Sequence, residues 1–441
     1  MARKFMKHAI PSVVGCLITS LYLVVDGVFI ARGVGETGVA AVTLVLPLTM
    51  AVVAVSMIFS TGGANLVSMS LGANDEHRAN GIFRQSLVVL LIIGAVFSIS
   101  GALFANEISA ILGARGILKP YASEYLKYYL LFTVPVLLSI ALSAFIRHDG
   151  SPKLAMRSML WGSLTNIVLD YLFVFPLGMG LRGAAIATGL GQLVSVAVCM
   201  VHFVEGRGRL RMGKVKLSSA DISEIVGLGI PAFLTEVSYS VLMYMHNVVI
   251  AANVGDAGVA AYGIVNYINN LSYMALIGIA QGIQPLISFY YGAGNIREGR
   301  RYFRLGLKVS VAVATAFFLA CLFFGRPIIG VFASSEEVIG LGCTVLNYAN
   351  VAFIALAVNL TYKAYLQSIC EPGRANLICV LRGFVFVKVG LAVLPALFGE
   401  AGIWSTMLFS EGLTMAVAVL SGKSFRAQYS PSRSGLIEKA A

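Results

Sequence analysis

Two carboxylates, an amide and a hydroxyl fall at spacings that would let them share one site, inside stretches that are otherwise apolar. Asp26 lies within residues 10–42, IPSVVGCLITSLYLVVDGVFIARGVGETGVAAV. Asn166 and Asp170 stand four residues apart in TNIVLDYLFVFPLG, on one face if that stretch is helical. Thr188 follows Ala184 by the same one-turn spacing in GLRGAAIATGL. The carboxylates of Asp26 and Asp170, the Asn166 amide oxygen, the Thr188 hydroxyl and the Ala184 carbonyl would form an all-oxygen cage, which suits a hard cation such as Na⁺. The same two acids could instead hold a proton. If these stretches cross a membrane, each buried charge costs at least ~2.5–3.5 kcal/mol, so an acid there is a functional-site candidate. The structural alternative pairs Asp26 and Asp170 with each other or with helix backbone, and leaves Asn166 and Thr188 as interhelical hydrogen bonders.

The elements that must position these groups are membrane-spanning helices. The chain has 441 residues, 58% hydrophobic and 12% charged, where a soluble domain is about 25% charged. Apolar runs recur at lengths that fit a ~30 Å hydrocarbon core. The alternating ~10-residue segments of a β-barrel are absent. Twelve spans are expected, near 8–31, 40–70, 85–108, 121–146, 154–176, 183–204, 222–251, 257–290, 303–324, 340–369, 375–397 and 401–421. With the N-terminus inside, 24 Lys and Arg fall in inner segments and 5 in outer ones. That bias predicts a multi-pass plasma (cytoplasmic) membrane protein with both termini cytoplasmic. It also accounts for the formal charge of +12 as topology and contact with anionic lipid head groups, with no nucleic-acid partner. The first run is too long for a signal peptide and lacks a small-x-small site, so an uncleaved first helix is expected. Six cysteines form no CxxC or other metal spacing and read as small buried apolar residues.

The chain is doubled. A shift of 220 residues lays 230–259 under the first run without a gap and matches twelve positions between 10 and 43, among them Pro11 with Pro231, Gly35 with Gly255 and Gly38 with Gly258. The match continues from Gly62, Leu66, Ser68 and Gly72 to Gly282, Leu286, Ser288 and Gly292. Near the end the shift becomes 219, where Gly183 meets Gly402. Six spans separate the copies, so both have the same orientation, related by an axis along the membrane normal. The expected organisation is an N-terminal six-helix lobe at 1–210, a cytoplasmic linker at 211–221 within a basic polar segment, and a C-terminal six-helix lobe at 222–441.

The copies differ in charge. His246 replaces Asp26, Gly390 replaces Asp170, and Lys363 and Lys388 are basic. Glu236, opposite Cys16, could face a cleft and attract a cation, or pair with Lys363 or Lys388. Glu411 could pair with either lysine. His246 reads as an interior hydrogen-bonded histidine or a proton carrier. Tyr22 and Met243 belong to a set of aromatics and methionines that could line a cavity for organic cations or simply pack helices. Pro11 and Pro231 each enter a span and could kink it. No phosphate loop, metal spacing or nucleophile–base pair appears, so neither enzyme chemistry nor a cofactor is expected.

In these features the chain resembles the multidrug and toxic compound extrusion (MATE) family over nearly its whole length. The features are the proline-led first and seventh spans, the acid near the end of span one, the GETGVAAV and GDAGVAAY turns, the LGA and YGA endings of spans two and eight, the DGSPK and CEPGR loops, and GLRGAAIAT. The resemblance implies an all-α, V-shaped pair of six-helix bundles that exports organic cations, drugs or toxic compounds in exchange for Na⁺ or H⁺. The span-five pattern NxxxD resembles the DinF-like branch. It implies a first-lobe cation site at Asp26, Asn166, Asp170, Thr188 and Ala184, with Pro11 as a bending point fifteen residues before the acid. The second-lobe acids of the NorM-like branch are not clearly matched. The expected partners are small, cationic amphipathic substrates and the bilayer, with the protein a monomer. The rivals are a flippase for lipid-linked saccharides and a passive channel or sensor.

Overall fold

The structure, a computed structural model, describes residues 1–333 and 335–428 and is helical, with no strand among the described residues. In chain order the helices are α1 Ala2–Gly33, α2 Glu36–Gly72, α3 Glu76–Ile111, α4 Leu118–Leu131, α5 Thr133–His148, α6 Pro152–Val174 and α7 Gly180–Val204. They continue as α8 Ser219–Asn253, α9 Asp256–Gly292, α10 Ile296–Gly330, α11 Glu336–Ser368, α12 Pro372–Val380, α13 Phe386–Phe398 and α14 Glu400–Gln428. A π-helical turn, Leu381–Val385, joins α12 to α13. Ten of these stretches, with α12, the π turn and α13 taken as one, are long and apolar enough to cross a membrane. Counting α4 with α5 as one bent span gives eleven. The twelfth expected span is α6, a helix of 23 residues that carries Asn166 and Asp170. Arg157, Asn166 and Asp170 make it less apolar than the other spans.

The 51° bend between α4 and α5 has a local cause. Pro135 has no N–H to give the carbonyl of Leu131. The Ser98 hydroxyl of α3 donates to the Leu130 and Leu131 carbonyls instead, at 2.9 and 3.2 Å. A backbone acceptor that water cannot reach in a bilayer is thereby satisfied.

The doubling of the sequence reappears in the backbone. Gly35 (φ 86°) and Gly255 (φ 82°) make the same left-handed turn before α2 and α9, a conformation open to glycine because it lacks Cβ. Asn74 and Gly294 (φ 61° and 71°) share a second such position, Gly150 and Cys370 (φ 89° and 58°) a third. At the shift of 219, Gly180 and Gly399 (φ 57° and 58°) share a fourth. The caps repeat as well: Asp75 Oδ1 accepts from the Arg78 N–H at 2.8 Å, and Asn295 Oδ1 from the Glu298 N–H at 3.1 Å.

The chain packs as two compact units. Unit 1 holds Met1–Ser240, Tyr273–Gly306 and Ala364–Gly373. Unit 2 holds Val241–Ser272, Leu307–Lys363 and the described chain from Arg374 on. Within unit 1, segments of the two repeats meet along a seam that obeys the 220-residue register. A Cβ on Gly72 would strike the Phe289 carbonyl oxygen, and one on Gly292 that of Met69. Likewise a Cβ on Gly62 would strike the Ile225 carbonyl, and one on Gly282 the backbone of Ala9. Ser68 Oγ donates to the Pro285 carbonyl at 3.1 Å, and Ser288 Oγ to Asn65 Oδ1 at 2.8 Å. Small residues allow backbones to approach where lipid offers no hydrophobic drive for helix pairing.

Unit 2 is organised around a buried ion pair. Arg382, in the π turn, donates to Glu411 Oε1 from Nε at 2.9 Å and from Nη2 at 2.8 Å. Asn359 Nδ2 donates to Glu411 Oε2 at 2.7 Å. Glu411 is 1% exposed. Its partner is therefore Arg382, where the sequence suggested Lys363 or Lys388. The π turn sets the guanidinium beside α14, a placement that linear spacing does not reveal.

The close backbone contacts and the buried pair can each be tested by stability. Gly72→Ala and Gly292→Ala should each destabilise the purified protein by about 1–3 kcal/mol, because backbone must move. Gly81→Ala, whose Cβ meets open space, should match or exceed the parent in thermal midpoint. Glu411→Ala should cost about 3–5 kcal/mol by stranding Arg382. An unchanged midpoint for that variant in detergent-solubilised protein would show that the pair is not structural.

Candidate functional site

Three helices of unit 1 bring the polar residues of the first repeat together. Gly162 of α6 and Gly191 of α7 face each other so closely that a Cβ on either would meet the other's carbonyl oxygen, at 2.9 and 2.7 Å. Ser195 Oγ of α7 donates to the Ser158 carbonyl of α6 at 2.8 Å. One turn along this contact, Asn166 Nδ2 donates to Thr188 Oγ1 at 3.3 Å. Helix α1 also packs on α6. Gly33 leaves room for Val174, and the Phe29 ring meets Phe175 edge-on at 5.7 Å. Asp26, one turn before Phe29 and Ile30 on α1, is thereby placed against Asp170.

The two carboxyl groups lie close enough to act on each other electrostatically, and Asn166 sits beside Asp170. Asp170 is fully buried and Asn166 is 2% exposed. Asp26 Oδ1, both Asp170 carboxylate oxygens and Asn166 Oδ1 are buried without a hydrogen-bond donor. Among the described residues, neither acid has an ion pair with Lys, Arg or His. Buried acceptors normally find donors, and removing a carboxylate from water without compensation is costly. Four buried oxygens without donors, three of them from carboxylates, make a site suited to a small cation or a proton. Ala184 is buried one turn before Thr188. No group of three or more His, Cys, Asp or Glu side chains able to hold a metal occurs among the described residues.

Two tyrosines lie near the acids and a third lies beside them. Tyr22 of α1 and Tyr125 of α4 lie within electrostatic range of both carboxyl groups, and Tyr129 lies close to Tyr22 and Tyr125. Tyr125 and Tyr129 stack at 6.0 Å and are buried. Sequence reasoning found Tyr22 but not the α4 pair. Their i,i+4 spacing in YASEYLKYYLL was the available signal, but it reads equally as packing.

The other residues singled out have surroundings of their own. Pro11 is buried in α1, which stays helical through it. Glu236 is half-buried on α8 and belongs to unit 1. Met243 and His246 belong to unit 2. His246 is 3% exposed, donates from Nδ1 to the Leu242 carbonyl at 2.9 Å and stacks on Tyr262 at 5.5 Å. This is the arrangement of a satisfied interior histidine. The cysteines form no disulfide, and four of the six are buried.

Comparison with known proteins places this geometry in a family. The MatE family model matches residues 11–172 and again 231–394, once in each repeat. The chain is 26% identical over 442 residues to the multidrug export protein MepA of Staphylococcus haemolyticus (strain JCSC1435), covering 99% of this chain and 96% of the relative. It is similar to the solved MATE multidrug transporter DinF-BH, at 28% identity and TM-score 0.89, with 97% and 96% of the two chains covered. An outward-facing multidrug resistance MATE family transporter of the MOP superfamily superposes at TM-score 0.91 over 96% of each chain. At 23% identity that likeness shows the fold. With both repeats matched over most of their length, the chain belongs to the MatE family.

Proposed function

We propose that this multi-pass membrane protein is an antiporter that exports small organic, cationic amphipathic compounds and is driven by Na⁺ or H⁺ at the Asp26–Asn166–Asp170–Thr188 cluster. The observation that carries the reading is the set of buried acceptor oxygens with no basic partner. Drug-like substrates are suggested by the names of the relatives, multidrug export protein MepA and a MATE multidrug transporter. The 24:5 bias of Lys and Arg supports a plasma-membrane topology with both termini cytoplasmic. In this reading the lobes 1–210 and 222–441 are the bodies that rock, Pro11 lets α1 bend, and no cofactor or enzymatic step takes part.

The energetics follow from the site. A cation or proton entering the cluster neutralises carboxylates that are expensive in a low-dielectric surround, so binding favours whichever conformation closes over them. Moving one charge through 100 mV supplies about 2.3 kcal/mol, to which an ion gradient adds. Substrate bound in the opposite conformation is released when the ion shifts the population.

Proteoliposomes loaded with ethidium test this. Asp26→Asn and Asp170→Asn should keep normal expression and lose uphill, ion-driven dye efflux by at least about tenfold. Full efflux in both variants would exclude the cluster. Gly191→Val, which drives a side chain into α6 and parts Asn166 from Thr188, should lower efflux while both acids remain. Varying Na⁺ and pH independently names the driving ion, and dye movement without any gradient requirement would instead identify a channel.

A further inference from the structure

Arg147 ends α5 and is 7% exposed. Among the described residues it has no carboxylate partner. The nearby acid in sequence, Asp149, is engaged elsewhere. Its Oδ2 accepts from His202 Nε2 at 2.8 Å and from the Leu210 N–H at 3.0 Å, and its Oδ1 from the Arg209 N–H at 2.9 Å. Arg147 Nη1 donates to the neutral Gln281 Oε1, which Cys16 Sγ also approaches at 3.7 Å. Arg147 Nε is buried with no acceptor. The titratable groups around it are the bases His8 of α1 and His148 of α5 and the thiols of Cys16 and Cys199, none of them a carboxylate, and His148 Nδ1 is also buried without a hydrogen-bond partner. The carbonyl end of α5 offsets some of this charge. Carbonyl dipoles are still no substitute for a counter-ion.

The acceptor comes from the other repeat. Gln281 belongs to α9, and its neighbours Gly278 and Gly282 are the residues that press α9 onto the α1 backbone at Val13 and Ala9. Parting this seam removes Gln281 and bares a planar, five-donor guanidinium shaped for two-point contact with a carboxylate or phosphate. We propose that Arg147 binds the anionic group, carboxylate or phosphate, of an amphiphilic ligand, and that Gln281 stands in for that group while the α1–α9 seam is shut. The ligand class therefore includes zwitterions as well as cations. The proposal rests on the export reading for the parting of the seam, and its test uses no gradient, so the two fail separately.

Fluorescence anisotropy of the purified full-length protein in detergent micelles, with rhodamine B and its methyl ester, reads the inference. The dyes differ in one free carboxylate. The parent should bind rhodamine B more tightly than the ester. Arg147→Gln should weaken rhodamine B by about tenfold and the ester by less than about twofold. Gln281→Ala, which removes the competing acceptor, should tighten rhodamine B severalfold and leave the ester unchanged. If added phosphatidylglycerol displaces rhodamine B from the parent but not from Arg147→Gln, the anion is a lipid head group. If it does not, the anion belongs to the cargo. Equal losses for both dyes, or no discrimination together with no phosphatidylglycerol effect, would overturn the proposal. Should Arg147→Gln fail to fold, unchanged or weaker rhodamine B binding by Gln281→Ala would overturn it.

Discussion

A charge buried among membrane-spanning helices is costly unless another group answers it. In unit 2 the answer is local: Glu411 is met by Arg382 and Asn359. In the first repeat it is incomplete. Asp26 and Asp170 face each other, with an amide oxygen and a hydroxyl beside them and no base in reach. The contrast separates two uses of buried charge. A pair with matched donors fixes a fold, at a desolvation cost that geometry only just offsets. A set of acceptors without donors leaves a place for something that comes and goes.

That set depends on close backbone packing. Gly162 and Gly191 hold α6 against α7, Gly33 admits Val174 against α1, and the Asn166–Thr188 bond forms where those contacts converge. The same device operates along the seam of unit 1, where Gly62, Gly72, Gly282 and Gly292 bring segments of the two repeats into backbone contact.

Much of this was legible beforehand because the repeat constrains backbone as well as side chains. The 220-residue shift placed Gly35 over Gly255, and the structure gives both the same left-handed conformation. At the third such position the shift pairs a glycine with Cys370, so the conformation was preserved while the residue that signals it was not. The i,i+4 spacing of Asn166 and Asp170 put them on one face, and their proximity to Asp26 follows from α1 packing on α6. What sequence could not supply were contacts set by irregular backbone or by distant elements. The π turn chose Arg382 for Glu411. The bend at Pro135 is read by Ser98, 37 residues earlier. Tyr125 and Tyr129 carried a spacing signal too common to stand out, and Arg147 had the appearance of an ordinary charge at a helix end.

The central claim is that the two acids form the ion-binding handle. Thermal unfolding of the purified protein, with Na⁺ and pH varied separately in the absence of any membrane potential, tests it directly, because a ligand that binds the folded state raises its stability. The parent should be stabilised by the coupling ion, either added Na⁺ at fixed pH or acidification at fixed Na⁺, and a double Asp26→Asn, Asp170→Asn variant should lose that response. A response of equal size in the double variant, or none in the parent to either ion, would contradict the claim.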